Sequence, residues 1–370
     1  MRKRGVATPA LACQDSVLMI RRIALGSTLC FVGALALIVP ACSSATPVEA
    51  DAGPVGSKGP QLGADGRIAP PPAGAIELAF GPLTVPASTE HTKCITKRLD
   101  NNERIHVSRI QNRLGDASHH LIVYRVADTE EKATPYDCDP FADTLKPERG
   151  APLMITQKVE EELALPPGVA FTLEPLQMIR LELHYLNASS EVKDVRTTSH
   201  FISIPDSEFK YEADFVFMGN PDIKLPPRSK SSLDSYIPMP ETHEGVHFFA
   251  VTGHQHHFGK NVKVEVAESK DGPGKPVYDV KNWVWSEPAT VFHDPPFDVP
   301  KGGGFRFRCD WDNTSDQTVK FGEKTTDEMC FFWGYYYPSV GPQVCVHTEQ
   351  TKTPTDLCCP GDTRCVFLDL

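Results

Sequence analysis

The stretch His247-Phe248-Phe249-Ala250-Val251-Thr252-Gly253-His254-Gln255-His256-His257-Phe258-Gly259-Lys260 decides how this chain folds. Its first six residues are a short run of aromatic and β-branched side chains, and Gly253 and Gly259 punctuate the remainder. On a strand, residues i and i+2 share a face. The stretch therefore predicts a strand whose end turns His254 and His256 the same way and His257 the other.

Runs of the same kind recur on both sides. Leu121 to Val126, Ile179 to Tyr185, Ala213 to Phe217, Asn261 to Val266, Phe305 to Trp311 and Phe331 to Tyr337 are rich in strand-forming residues. Pro and Gly clusters separate them, as at Pro166-Pro167-Gly168, Pro226-Pro227 and Gly302-Gly303-Gly304. No long segment keeps a helical period, and no repeat of fixed short period is visible. The expected fold is all-β, with two antiparallel, sandwich-like domains, because about 280 residues exceed one small sandwich. The expected division is 76–205 and 206–345, followed by a Cys-rich extension over 346–370.

The first 42 residues read as an export signal. Arg21-Arg22 precede the apolar run from Ile23 to Val39, and Pro40-Ala41-Cys42 closes it. Cys42 after small residues resembles a bacterial lipobox, which implies cleavage before Cys42 and a lipid on its sulfur. An uncleaved anchor or a plain secretory signal are the competing readings. Met1 and Met19 both serve as possible starts. Residues 43–75 are Pro, Gly, Ala and Ser with scattered charges, and are expected to form a flexible tether. The reading is an exported lipoprotein, anchored to a membrane and facing the periplasm or the cell surface.

The chain carries a net charge of −11. The leader holds Arg2, Lys3, Arg4, Arg21 and Arg22 against Asp15, so the remainder is near −15. Such a surface excludes a nucleic-acid partner. Eight cysteines follow the leader: Cys94, Cys138, Cys309, Cys330, Cys345, Cys358, Cys359 and Cys365. An even number in an exported chain suits disulfides, and the C-x-x-C pairs of a zinc ribbon are missing.

The thirteen histidines are unevenly spread. His254 and His256 form one candidate metal pair, against the reading of a polar strand end with exposed histidines. His119-His120 opens the strand Leu121-Ile122-Val123-Tyr124. Neighbours on an ideal strand point to opposite faces, so joint use of these two needs a strand-end irregularity. His184 sits in Leu181-Glu182-Leu183-His184-Tyr185, on the face opposite Leu181 and Leu183. Surface or packing histidines explain the last two features equally well. Met329, in Thr325-Thr326-Asp327-Glu328-Met329-Cys330, is core filler unless the metal is soft, and copper(I) is the metal that a thioether suits.

Together these elements resemble the copper type II, ascorbate-dependent monooxygenases, the family of the peptidylglycine α-hydroxylating and dopamine β-monooxygenases. The resemblance rests on order and context: His119-His120, then His184-Tyr185, then His254 to Lys260, then Asp327 to Cys330 leading into paired tyrosines. It covers roughly Leu83 to Val340 and is strongest in the second half. It implies two jelly-roll-like sandwiches, each bearing one copper, across a solvent-filled cleft. It implies that His119, His120 and His184 hold an electron-storing copper, and that His254, His256 and Met329 hold the copper that meets dioxygen. The cofactor implied is two coppers per chain, with ascorbate or another one-electron reductant as co-substrate. It further implies a Cys309–Cys330 bridge beside Met329, and a Cys94–Cys138 bridge bracing the His119-His120 strand.

The expected activity is hydroxylation of a C–H bond in a small-molecule or peptide substrate with dioxygen. Two readings compete with it: a non-catalytic copper-handling lipoprotein, and an adhesive double sandwich with incidental histidines. Peptide-amidating members grip their substrate through an Arg two residues before the first His of His-x-His, and through an Asn and a Tyr after Met-Cys. Those positions hold Thr252, Phe331 and Trp333. A threonine hydroxyl cannot replace a bidentate guanidinium, so a glycine-extended peptide is not expected in that pose. Phe331 and Trp333 either line an apolar pocket or pack in the sandwich. Asn187-Ala188-Ser189 and Asn313-Thr314-Ser315 are glycosylation sequons.

Overall fold

Phe331–Tyr337 runs through a six-stranded sheet, hydrogen-bonded to Asp214–Gly219 on one side and His247–His254 on the other. Phe331, Trp333, Tyr335 and Tyr337 pack into one apolar cluster, and Phe332 and Tyr336 into another. Both faces of the strand are therefore covered, which is why its sequence is continuously aromatic rather than alternating with polar residues. The computed structural model describes residues 54–141, 144, 150–350, 353–362, 364 and 365. The leader and Cys42 lie outside these residues. Among them the chain is all-β apart from the 3-10 turn Glu241–His243 and 3-10 residues at Arg364 and Cys365.

The strands sort into two sandwich-like halves within one unit. In the first, a five-stranded sheet runs in the order Lys132–Asp137, Thr89–Arg98, Met178–Asn187, Ser118–Val126, Gly150–Thr156. Its companion sheet runs Ile76–Val85, Lys193–Ile204, Ile105–Arg113, Val169–Leu173, with Glu160–Ala164 also paired to Ile105–Arg113. In the second half, the six-stranded sheet runs Thr290–Phe297, His247–His254, Phe331–Tyr337, Asp214–Gly219, Gln343–Thr348, Thr355–Cys359. It packs on a four-stranded sheet, Ser229–Pro238, Gly304–Asn313, Gly259–Ala267, Gly274–Asp279, through contacts such as Phe305 on Phe332.

Three expectations change. The strand Tyr211–Glu212 still pairs with Val169–Leu173 of the first half, so the sheets hand over after Glu212 rather than at 205. The expected C-terminal extension completes the strand Gln343–Thr348 and supplies Thr355–Cys359 to the second sheet, because Gln343–Thr348 finds a parallel partner in Asp214–Gly219. The expected flexible tether is docked from Pro54 onward. Ser57 donates its amide to the His293 carbonyl and its hydroxyl to the Ala164 carbonyl, Tyr337 Oη donates to the Val55 carbonyl, and Arg67 pairs with Glu160. Main-chain and charge contacts order a segment whose composition offers little apolar surface.

The sequons serve another purpose. Asn187 is buried and its amide donates to the carbonyls of Val85, Pro86 and Glu191. Asn313 is buried likewise and donates to Leu225, Pro226 and Gln317. Ser189 and Ser315 donate to the Asn oxygens at 2.7 Å in both places, and Thr89 and Ser229 close the matching turns on Pro86 and Pro226. The two halves thus share one corner design, which no short-period repeat reveals. An amide nitrogen spending both hydrogens on carbonyls inside the fold is not free for glycosylation.

Candidate metal centres

The strand Ser118–Val126 lies between Met178–Asn187 and Gly150–Thr156, and its register against Met178–Asn187 breaks between Ser118 and His120. A register irregularity of this kind lets two consecutive residues turn towards one side. This is the strand-end irregularity that joint use of His119 and His120 requires. His120 is directly opposite His184 on the neighbouring strand. One ring nitrogen from each of His119, His120 and His184 falls within 4.8 Å of the others. Among the described residues this is the one such group of His, Cys, Asp or Glu.

The buried nitrogens of this group include atoms with no partner: His119 Nε2, His120 Nε2 and His184 Nδ1. A buried polar atom without a partner is costly, and a metal ion removes that cost. Burial, followed by the neighbouring rings, holds His119 down to about 3 and His120 well below its ordinary value. Both imidazoles are therefore neutral near pH 7 and keep a lone pair for a cation.

The second group forms where His247–His254 ends. His254 is its last residue, and a turn closed by the Gly259 amide on the His256 carbonyl brings His256 round. The Nε2 atoms of His254 and His256 are 3.2 Å apart. Burial holds His254 well below its ordinary value and His256 at about 4. His257 is exposed, beside Trp285 and Phe258, and takes no part.

Met329 lies two residues before Phe331, the cross-strand partner of His254. It is buried in the cluster that holds Phe217, Phe331 and Trp333, and the Trp333 ring lies 6.1 Å from that of His254. Glu328 links Met329 to the histidine turn. It is buried, and accepts from the amides of His256, Phe258 and Met329 and from Trp311 Nε1. Burial raises its carboxyl to about 7 despite these donors.

The two groups are close, and an apolar cluster reaches across both halves beside them. The apolar cluster of the first half continues through Phe215, Phe217, Phe249, Phe331 and Trp333 of the second. Phe141 stands at the junction, its ring 5.1 Å from that of His120 and 5.8 Å from that of His254. Trp285 of the second half lies 5.4 Å from His119. The face of the second sheet turned towards the first half is largely aromatic, and its polar groups meet partners of the first half, His254 at Gln157 and Thr290 at Glu161.

Several residues that the sequence did not single out shape the groups. Gln157, from the first half, sits 3.0 Å from His254 Nδ1. Glu90 contacts His184 Nε2 at 3.0 Å. Glu182 accepts from the Phe141 amide and Tyr124 Oη, and burial raises it to about 7. A cavity of about 370 Å³ lined by Glu90, Asp139, His184, Glu323 and Lys324 opens beside the three-histidine group. Only Glu328 carried a sequence signal, by lying in the Met329 motif.

Thr252 donates to Thr290 Oγ1 at 2.9 Å, and Thr290 donates in turn to the buried carboxyl of Glu161 at 3.1 Å. Phe331 and Trp333 pack in the core, Phe331 stacked 5.0 Å from Phe217. The four disulfides are Cys94–Cys138, Cys309–Cys330, Cys345–Cys358 and Cys359–Cys365. They are the bonds of a chain that folds in an oxidising compartment.

Residues 211–356 match the family model of the copper type II ascorbate-dependent monooxygenase, C-terminal domain. The match contains His254, His256, Met329 and the Cys309–Cys330 bridge. Two solved structures of infectious bursal disease virus are also similar in part. That of the Gt strain is 6% identical, with 71% of this chain and 70% of that chain covered and a TM-score of 0.17. The crystal structure of the VP2 subviral particle is 8% identical, with 72% and 77% covered and a TM-score of 0.17. Likeness at that level carries no argument.

Proposed function

We propose that this chain is a two-site copper monooxygenase, with one copper held by His119, His120 and His184 and the other by His254, His256 and Met329. The carrying observation is the pair of imidazole groups of different composition, the second lying within the matched family domain. The donor sets fit the metal: imidazoles suit either copper oxidation state, and a thioether favours copper(I). In the three-histidine group the buried nitrogens His119 Nε2, His120 Nε2 and His184 Nδ1 have no partner within the chain, which fits a cation.

The overall change is R–H + O2 + 2 electrons + 2 protons giving R–OH + H2O. Copper supplies one-electron storage at the three-histidine group and dioxygen chemistry at the group with the thioether. The chain's own residues hold the rings neutral by burial, aim them, and keep water out of the space around Phe141. An external one-electron donor such as ascorbate supplies the electrons. The substrate is a small molecule or peptide, gripped differently from a peptide carboxylate, because Thr252 leads through Thr290 to the carboxyl of Glu161 and not to a guanidinium. Export and lipid anchoring at Cys42 would place this chemistry on a membrane surface.

The test is dioxygen consumption by the copper-loaded chain with ascorbate, over a panel of small apolar, aromatic and amine substrates. Consumption coupled to a hydroxylated product, and lost in Met329→Ala with the three-histidine copper retained, supports the proposal. A second reading, a non-catalytic copper-handling lipoprotein, draws on one observation: Phe141 fills the space between His120 and His254. Two tightly bound coppers without any product across the panel would favour that reading.

A further inference from the structure

We propose that Glu90 is a positioning residue that sets the His184 tautomer and ties the three-histidine group to the loop carrying Met329. The proposal rests on the copper reading of the two groups. Thr92 is paired with His184 across the sheet, so Glu90, two residues earlier, lies on the same face as that ring. Its Oε1 is 3.0 Å from His184 Nε2. The same carboxylate accepts from the Thr325 amide at 3.2 Å and from Thr325 Oγ1 at 3.0 Å. Thr325 belongs to the second half and precedes Met329 by four residues.

A carboxylate offers only acceptors, so His184 Nε2 must be the protonated nitrogen in this pair. In the tautomer so fixed the lone pair is on Nδ1, which is buried and has no partner. Glu90 thereby turns the donor atom of His184 inward, towards His119 and His120. Carboxylates behind a metal-bound histidine fix ring and tautomer in this way. The bonds to Thr325 add a second consequence. A ring shift at His184 moves Glu90, and Glu90 is hydrogen-bonded to the segment that delivers Glu328 and Met329. An ordinary surface ion pair would explain the first bond but not the two to Thr325 across the halves.

The experiment measures copper(II) affinity and the electron paramagnetic resonance spectrum of the three-histidine group in the full chain, beside the carbon monoxide stretch of the cuprous protein. Carbon monoxide serves as the diatomic probe of the Met329 group. Glu90→Ala is expected to lower copper(II) affinity at the three-histidine group by about 10- to 100-fold and to move the carbonyl band. Glu90→Gln, whose amide oxygen still accepts from Nε2–H, retains most of the affinity, which guards against a folding defect in the alanine variant. Thr325→Val leaves that affinity near wild type and moves the band. Wild-type affinity and spectrum in Glu90→Ala would overturn the positioning role. A band unmoved in both Glu90→Ala and Thr325→Val would overturn the tie. Failure of wild type to bind copper, or of His184→Ala to lose one copper, would instead strike the parent reading.

Discussion

The Nε2 atoms of His254 and His256 face each other at 3.2 Å inside the protein, with both rings kept neutral by burial. Two lone pairs cannot meet at that distance, so the pair either shares a proton or shares a cation. Met329 stands two residues from Phe331, the strand partner of His254, and on the copper reading proposed above would be the third donor.

Removing that donor separates the two centres. Met329→Ala is expected to reduce bound copper from two per chain to one and to cut turnover at least about 100-fold, the scale of losing metal chemistry at the reacting site. The spectrum of the remaining copper should be that of the three-histidine group. Metal analysis with paramagnetic resonance checks this, and loss of both coppers would contradict it.

Gln157 orients His254 from the other half, 3.0 Å from its Nδ1. Metal binding through Nε2 requires Nδ1 to carry the proton and donate to the amide oxygen, so the amide sits with Oε1 towards the ring in the loaded protein. Gln157→Leu should weaken copper at the His254 group by about 10- to 100-fold and leave the three-histidine group unchanged. Competition titration against a copper chelator measures both affinities.

The apo protein should show the buried histidines in its acid stability. His256 is held at about 4, below its unfolded value. Its contribution is fully present above the unfolded value and is lost as pH falls towards about 4, because only the unfolded chain takes up the proton. Glu328, raised to about 7, works oppositely, gaining stability as pH falls from about 7 towards its unfolded value. The difference between wild type and His256→Gln isolates the histidine. Wild type should lose about 1.4 kcal/mol per pH unit relative to the variant between the unfolded histidine value and about pH 4. Denaturant melts at several pH values test the slope, and a flat difference would refute it.

Copper should stabilise the fold, since it would occupy buried ring nitrogens, such as His119 Nε2 and His184 Nδ1, that have no partner within the chain. A ligand at 100 times its dissociation constant adds about 2.7 kcal/mol. Addition of copper(II) to the apo chain should raise the melting temperature, and chelation should reverse it. The rise should be smaller in His120→Ala.

Trp333 joins the core of both halves, packed near Phe217 and His254. Trp333→Ala should cost about 3–5 kcal/mol and weaken copper at the His254 group as the ring behind it is lost. Chemical denaturation measures the first effect and copper titration the second.

The second centre was the more legible one. The i, i+2 spacing of His254 and His256, the soft donor Met329 and the motif around it are local features, and the strands His247–His254 and Phe331–Tyr337 form where their residues predict. The pairing His119-His120 was not derivable from strand geometry, because its convergence depends on a register irregularity at Ser118. His184 became a partner only through cross-strand register, sixty-four residues away in the chain. Glu90, Gln157, Phe141 and Trp285 had no signal, since each acts on a residue distant in sequence.

The alternating and aromatic runs of this chain determined an all-β fold, and its histidines and Met329 determined the donor chemistry, because strand periodicity and ligand softness are properties of residues and their near neighbours. Tertiary structure alone decided that Phe141 stands between the two imidazole groups, with an apolar cluster shared by both halves around it. It also turned the two sequons into buried corners and docked the segment after Pro54. Those outcomes depend on which faces become buried against each other, and burial is set by the whole fold.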